Sequence, residues 1–170
     1  MTHSRTIRAA ALMALAAGLA QAAPAVVILV RHAERAGEMS EDGSLTPAGK
    51  QRAEELARVV AAWKAPGGKL LALFASEKKR TQETLAPLAA GGIKVTVIPA
   101  DNTAALVKQI LAVKGGIVVV AGHSNTVPGV IQALGGPAGI TIDDNEFDRL
   151  FALTGAGGSA SLVGMRYGPR

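Results

Sequence analysis

The sequence predicts an α/β fold, three layers deep, with a mostly parallel central sheet and helices on both of its faces. Three observations predict it. Strand-like and helix-like segments alternate four times along the chain, the order from which parallel sheets are built. The runs at 26–30 and 117–121 are continuously apolar and rich in β-branched residues, as strands buried on both faces are. Finally, 170 residues with 49% hydrophobic and 18% charged content suit one domain with a real core.

Each element follows from local chemistry. After the first strand, Thr46 and Pro47 mark a helix start, hydroxyl cap first and proline at the first helical position. Leu56, Val59, Val60 and Trp63 then recur at helical spacing, with Arg52, Glu55 and Arg58 expected on the wet side. Pro66-Gly67-Gly68 ends that helix. Residues 70–75 form a second buried strand and 80–90 a helix closed by Gly91-Gly92. A third strand at 95–98, a third helix at 103–113 and the strand at 117–121 follow. A helix near 127–134 and strands near 150–154 and 159–165 complete the chain. Gly155 to Gly158 reads as a turn between those strands, since no lysine-serine pair follows it as in a phosphate loop.

Composition removes several function classes. Aromatics are 3% of the chain and the net charge of +5 comes from scattered residues, so no nucleic-acid surface is expected. With no cysteine, thiol catalysis, disulfides and thiolate metal sites are excluded. Residues 1–22 predict a signal peptide: Arg5 and Arg8, an apolar run over 9–20, then Ala20-Gln21-Ala22 for cleavage. Residues 23–170 would form a single domain, periplasmic or secreted, with no stable membrane insertion after cleavage. The apolar run is short for a bilayer span.

Parallel sheets bind ligands at the carboxyl ends of their strands. There the sequence places Arg31-His32-Ala33-Glu34, Ser76 to Arg80, Asp101-Asn102 and Gly122-His123-Ser124. A phosphate monoester is a dianion, and Arg31 and Arg80 offer planar forks for its oxygens. A neutral imidazole beside them can attack phosphorus, and a second can donate to the oxygens as charge shifts. These groups suffice for phosphoryl transfer without a metal or cofactor. A metal site built on His32, His123 and Asp101 is disfavoured by the two flanking cations. The acidic run Asp143 to Asp148 lacks the glycine and spacing of a calcium loop and reads as a solvated loop bordering the site.

Four segments together resemble the histidine phosphatase superfamily, also called phosphoglycerate mutase-like. They are Leu29-Val30-Arg31-His32-Ala33-Glu34, Leu45-Thr46-Pro47-Ala48-Gly49, Ser76-Glu77-Lys78-Lys79-Arg80-Thr81-Gln82-Glu83-Thr84 and Val120-Ala121-Gly122-His123-Ser124-Asn125. The resemblance implies a phosphohistidine at His32, with Arg31, Arg80 and His123 binding the phosphoryl oxygens. Ser124 either adds a hydrogen bond there or caps the following helix. Two departures stand out. Ala33 replaces the family's glycine, and the acidic proton donor of many relatives has no clear counterpart. Asp101 is the first candidate, ahead of Glu34 and Glu83.

The expected activity is metal-independent hydrolysis of a small phosphorylated substrate or a phosphoprotein. Mutase-type transfer and a non-catalytic phosphate-binding module are the alternatives.

Overall fold

A computed structural model describes residues 23–37, 42–64 and 68–168. The expected signal peptide, residues 1–22, lies outside the described residues. The elements run β1 (Val26–Arg31), α1 (Pro47–Lys64), β2 (Leu70–Ala75), α2 (Lys79–Ala89), β3 (Val95–Val97), α3 (Thr103–Ala112), β4 (Ile117–Gly122), α4 (Val127–Ala133), β5 (Arg149–Thr154) and β6 (Ser161–Arg166). One six-stranded sheet results, in the order β3-β2-β4-β1-β5-β6. Its first four strands are parallel, while β5 and β6 are antiparallel additions beside β1. The expected mostly parallel, three-layer α/β/α architecture is the one observed.

Successive strand residues point to opposite faces, and the central strands are apolar in both directions. Val27, Leu29, Val118 and Val120 pack with Ile110 of α3 and with Val130 and Ile131 of α4. Ile28, Val30, Val119 and Ala121 pack instead with Leu56 and Val60 of α1 and Leu85 of α2. The neighbouring strands β1 and β4 therefore send their following helices to opposite faces. A crevice opens between them at the carboxyl edge, the place where open α/β sheets bind ligands. Among the described residues, no helix is long and apolar enough to cross a membrane.

Helix α1 begins as its sequence predicts, with the Thr46 hydroxyl accepting from the Gly49 amide at 3.0 Å. Gly49 is required for a second reason. A β-carbon there would stand 2.2 Å from the Glu34 carbonyl oxygen, so only glycine lets α1 lie against the turn after β1. Arg52 departs from expectation. It is buried rather than wet, because it pairs with Glu34 at 2.7 Å and donates to the Tyr167 carbonyl at 2.9 Å. Helical periodicity placed it by its charge, whereas a carboxylate from the β1 turn and the chain end after β6 enclose it.

Candidate active site

Strand register brings the site together. Arg31 at the end of β1 pairs with Gly122 at the end of β4, and Ala75 of β2 pairs with Ala121. The next residues along β1 and β4 are His32 and His123, side by side, and Ser76 follows β2 one step behind them, so three side chains leave adjacent strands close together. The His32 amide donates to the Gly122 carbonyl at 2.8 Å, extending the pairing by one residue. The two imidazole rings meet edge to face, with centroids 5.4 Å apart.

Both rings have defined tautomers. His32 Nδ1 lies 2.8 Å from the Ala33 carbonyl oxygen, which can only accept, so Nδ1 carries the proton and Nε2 keeps its lone pair. His123 Nδ1 faces an Arg80 guanidinium nitrogen at 3.4 Å. That nitrogen can only donate, which leaves the proton on Nε2 for the Ser76 hydroxyl at 2.9 Å. Ser76 in turn meets Thr81 Oγ1 at 2.9 Å, and the Thr81 hydroxyl donates to the Lys78 carbonyl at 2.7 Å. A relay of hydroxyls thus holds His123 from behind.

Burial, foremost, holds His32 down to about 3, with the charges of Arg80 and Arg31 adding to it and the Ala33 hydrogen bond opposing. Burial also holds His123 down to about 4, followed by the charge of Arg80. Both imidazoles are neutral at physiological pH, as a nucleophile requires.

Arg31 is 8% exposed. Its Nη1 donates to the Asp143 carbonyl at 2.8 Å, and the Phe147 ring lies 4.2 Å from its guanidinium carbon. Its Nε is buried without a hydrogen-bond partner among the described residues. Burial lowers the Arg31 pKa, Asp144 partly restores it, and Arg35 and Arg80 lower it further. The loop at 143–147 thus steers Arg31 with carbonyls and a ring, as the expected border of the site. Among the described residues no group of three metal-ligating side chains converges.

An open cavity of about 410 Å³ contains Arg31, His32, Arg80, His123, Ser124 and Asp101, every predicted site residue. Asp101 sits at the exposed rim on the loop after β3. Glu77 steadies that loop by accepting from the Ala100 amide at 2.9 Å. The other two donor candidates are committed elsewhere: Glu34 holds Arg52, and Glu83 accepts from the Leu45 amide at 2.6 Å. Ser124 does not cap α4. Thr126 occupies that position, and the Ser124 hydroxyl donates to Asp144 at 3.3 Å.

Ala33 costs no backbone strain, since no described non-glycine residue has positive φ. Its methyl packs in a small buried group with Leu45 and Ala53. Its amide donates to the Thr84 hydroxyl at 2.9 Å, and that hydroxyl donates to the Arg80 carbonyl at 2.7 Å. Sequence reasoning assigned no role to Ser76, Thr81, Thr84, Arg35 or Lys78, the last two of which also line the cavity. The spacing of the Ser76–Thr84 segment was the available signal: hydroxyls five and eight residues after Ser76 share a helical face with its end.

Residues 27–102 match the model of the histidine phosphatase superfamily, branch 1. No curated protein matches the chain in sequence. Solved structures share its fold. The protein histidine phosphatase SixA complexed with tungstate is 20% identical, with a TM-score of 0.60 over 83% of this chain and 96% of that one. A candidate phosphohistidine phosphatase SixA from Agrobacterium tumefaciens is also 20% identical, with a TM-score of 0.58 over 86% and 99%. Phosphoserine phosphatase from Entamoeba histolytica, in complex with 3-phosphoglyceric acid, is 16% identical, with a TM-score of 0.56 over 85% and 97%. The family match covers less than half of the chain, and the solved structures establish the shared fold.

Proposed function

We propose that this chain is a phosphatase of the histidine phosphatase superfamily that hydrolyses phosphate monoesters through a phosphohistidine on His32. The observation that carries the reading is the neutral His32 ring, its proton fixed on Nδ1 toward Ala33, in one cavity with Arg31, Arg80 and His123. The lone pair of Nε2 attacks phosphorus as the ester P–O bond breaks, and the leaving oxygen takes a proton from Asp101. Water then attacks the phosphorus, the P–N bond breaks, and Asp101 recovers its proton. Arg31 and Arg80 neutralise the phosphoryl oxygens throughout; once the substrate replaces Arg80 at Nδ1, His123 donates to them only in its other tautomer, with Nδ1 protonated and Nε2 accepting from the Ser76 hydroxyl.

Neighbouring structures support the substrate class. SixA binds tungstate, a tetrahedral oxyanion, and the Entamoeba enzyme is a phosphoserine phosphatase. The chemistry proposed needs no metal, and the proposed site of action is the periplasm or the exterior, on the strength of residues 1–22. The deciding experiment is trapping with a 32P-labelled substrate in the presence of chelator. An acid-labile label that disappears in His32→Ala, together with turnover of an activated aryl phosphate, is the expected result. Binding without turnover would make the protein a phosphate-binding module, and turnover abolished by chelator would make it a metalloenzyme.

A further inference from the structure

The loop at 143–147 holds Arg31, and the loop is itself held from outside the cavity. Arg149 of β5 and Arg166 of β6 are register partners on neighbouring antiparallel strands. Like charges directly opposite one another repel, and here the Glu146 carboxylate answers both. Its Oε1 accepts from Arg166 Nη2 at 2.7 Å, and its Oε2 lies 3.5 Å from Arg149 Nη1. Oε2 also accepts from the Asp143 amide at 3.1 Å, while the Glu146 amide donates to the Asp143 carbonyl at 2.9 Å. Two crossed hydrogen bonds thus close the turn at 143–146. Its flanks are fastened as well, since Arg166 Nη1 donates to Asp148 at 2.6 Å and Arg149 Nη1 to the Thr141 carbonyl at 2.8 Å. The Asp143 amide, and then Arg166, hold the Glu146 pKa down, so the carboxylate stays charged at neutral pH. The same turn serves Arg31. The Asp143 and Glu146 carbonyl oxygens lie 2.8 and 3.5 Å from Arg31 Nη1, and the Phe147 ring lies against both Arg31 and His32. Arg166 does not line the catalytic cavity, and its side chain is 54% exposed. Exposed ion pairs add little to stability, so the weight of this one falls on the turn.

We infer that Arg166 is a positioning residue of the active site: gripping Glu146 and Asp148 from the edge strand, it fixes the turn whose carbonyls and ring aim the Arg31 guanidinium. The carbonyls engage Nη1 alone, and Nε is buried without a hydrogen-bond partner among the described residues. A planar fork grips phosphoryl oxygens two at a time only when its plane is set, and small misplacements of such groups are costly. Releasing the turn frees that plane to rotate. This inference rests on the phosphatase reading above and adds to it a residue that neither touches the substrate nor lines the cavity.

The test is a double-mutant cycle between Arg166 and Arg31 in the full-length protein. It is read both as kcat/KM on an aryl phosphate and as Kd for inorganic phosphate. Arg166→Gln should weaken each by roughly tenfold, the weight of one charge-assisted hydrogen bond, with Tm nearly unchanged. Glu146→Gln should reproduce the loss, and Arg166→Lys, which keeps a cation for Glu146, should recover most of it. In an Arg31→Ala background, Arg166→Gln should cost almost nothing further. Arg58→Gln removes an equal charge from the exposed side of α1 and should move neither readout. Losses that multiply in the double variant, or phosphate binding that Arg166→Gln leaves unchanged, overturn the inference. A matching loss in Arg58→Gln would assign the effect to net charge and overturn it too. A wild type that binds phosphate without turnover would instead overturn the phosphatase reading, while the cycle in phosphate Kd still decides the role of Arg166.

Discussion

Two buried arginines sit about twenty residues apart in this chain and have opposite fates. Arg52 is matched: burial works against its charge, but the hydrogen bonds and charge of Glu34 outweigh that, and its pKa is raised. Arg31 has no such carboxylate in contact. It is held by two backbone carbonyls and the face of Phe147, with the exposed Asp144 3.9 Å away. Burial dominates there and its pKa is lowered. A buried cation answered by its own protein is architecture; one answered only in part is waiting for an anion. The same contrast separates Glu34, spent on Arg52, from Asp101, left at the rim.

That contrast can be broken by experiment, most forcefully at the arginines themselves. Arg31→Ala should lower kcat/KM by roughly a hundredfold to a thousandfold while Tm holds or rises. Arg52→Ala leaves Glu34 unpaired and should cost roughly 2–4 kcal/mol, a fall in Tm of roughly 5–12 °C, with a much smaller loss of kcat/KM. Equal losses of Tm in the two variants would erase the distinction.

Acid sharpens the same point. Unfolded imidazoles titrate near 6.5, while folding holds His32 and His123 at about 3 and about 4. Between those limits the unfolded chain binds more protons, so stability is complete above about pH 7 and falls as pH drops. Urea unfolding should show a loss of about 1–2 kcal/mol per histidine from pH 7 to 5. His32→Ala should flatten that slope, and an unchanged slope would remove His32 as its source.

Smaller effects test the supporting residues. Ser76→Ala should lower kcat about tenfold, one hydrogen bond's worth, with little change in KM, and Ser76→Thr should restore most of it. A change confined to KM would deny Ser76 its hold on His123. Asp101→Asn should barely alter turnover of an activated aryl phosphate but slow alkyl phosphates by about tenfold or more. Equal slowing of both would take Asp101 out of the proton-donor role.

The sheet was legible because its strands are buried on both faces, so continuous β-branched runs at 26–30 and 117–121 carry the signal without ambiguity. His32 and His123 were legible because they follow strand ends, Arg31 because it closes a strand, and Arg80 because it lies in the segment that leads from β2 into α2. Arg52 was not, since a helical pattern reports which residues share a face and says nothing of a carboxylate arriving from another element. Phe147 was equally hidden. It reaches Arg31 only because β5 adds antiparallel beside β1, a placement that no local pattern encodes. The hydroxyls of Ser76, Thr81 and Thr84 are small and polar, compatible in sequence with any helix start; their meaning lies in where they point.

One of those hydroxyls has a mechanical consequence. Thr84 accepts from the turn after His32 and donates to the carbonyl of Arg80, so a single oxygen ties the loop that follows His32 to the helix that carries Arg80. The backbone beside His32 and the backbone at Arg80 are thereby spaced through one shared side chain rather than through the sheet.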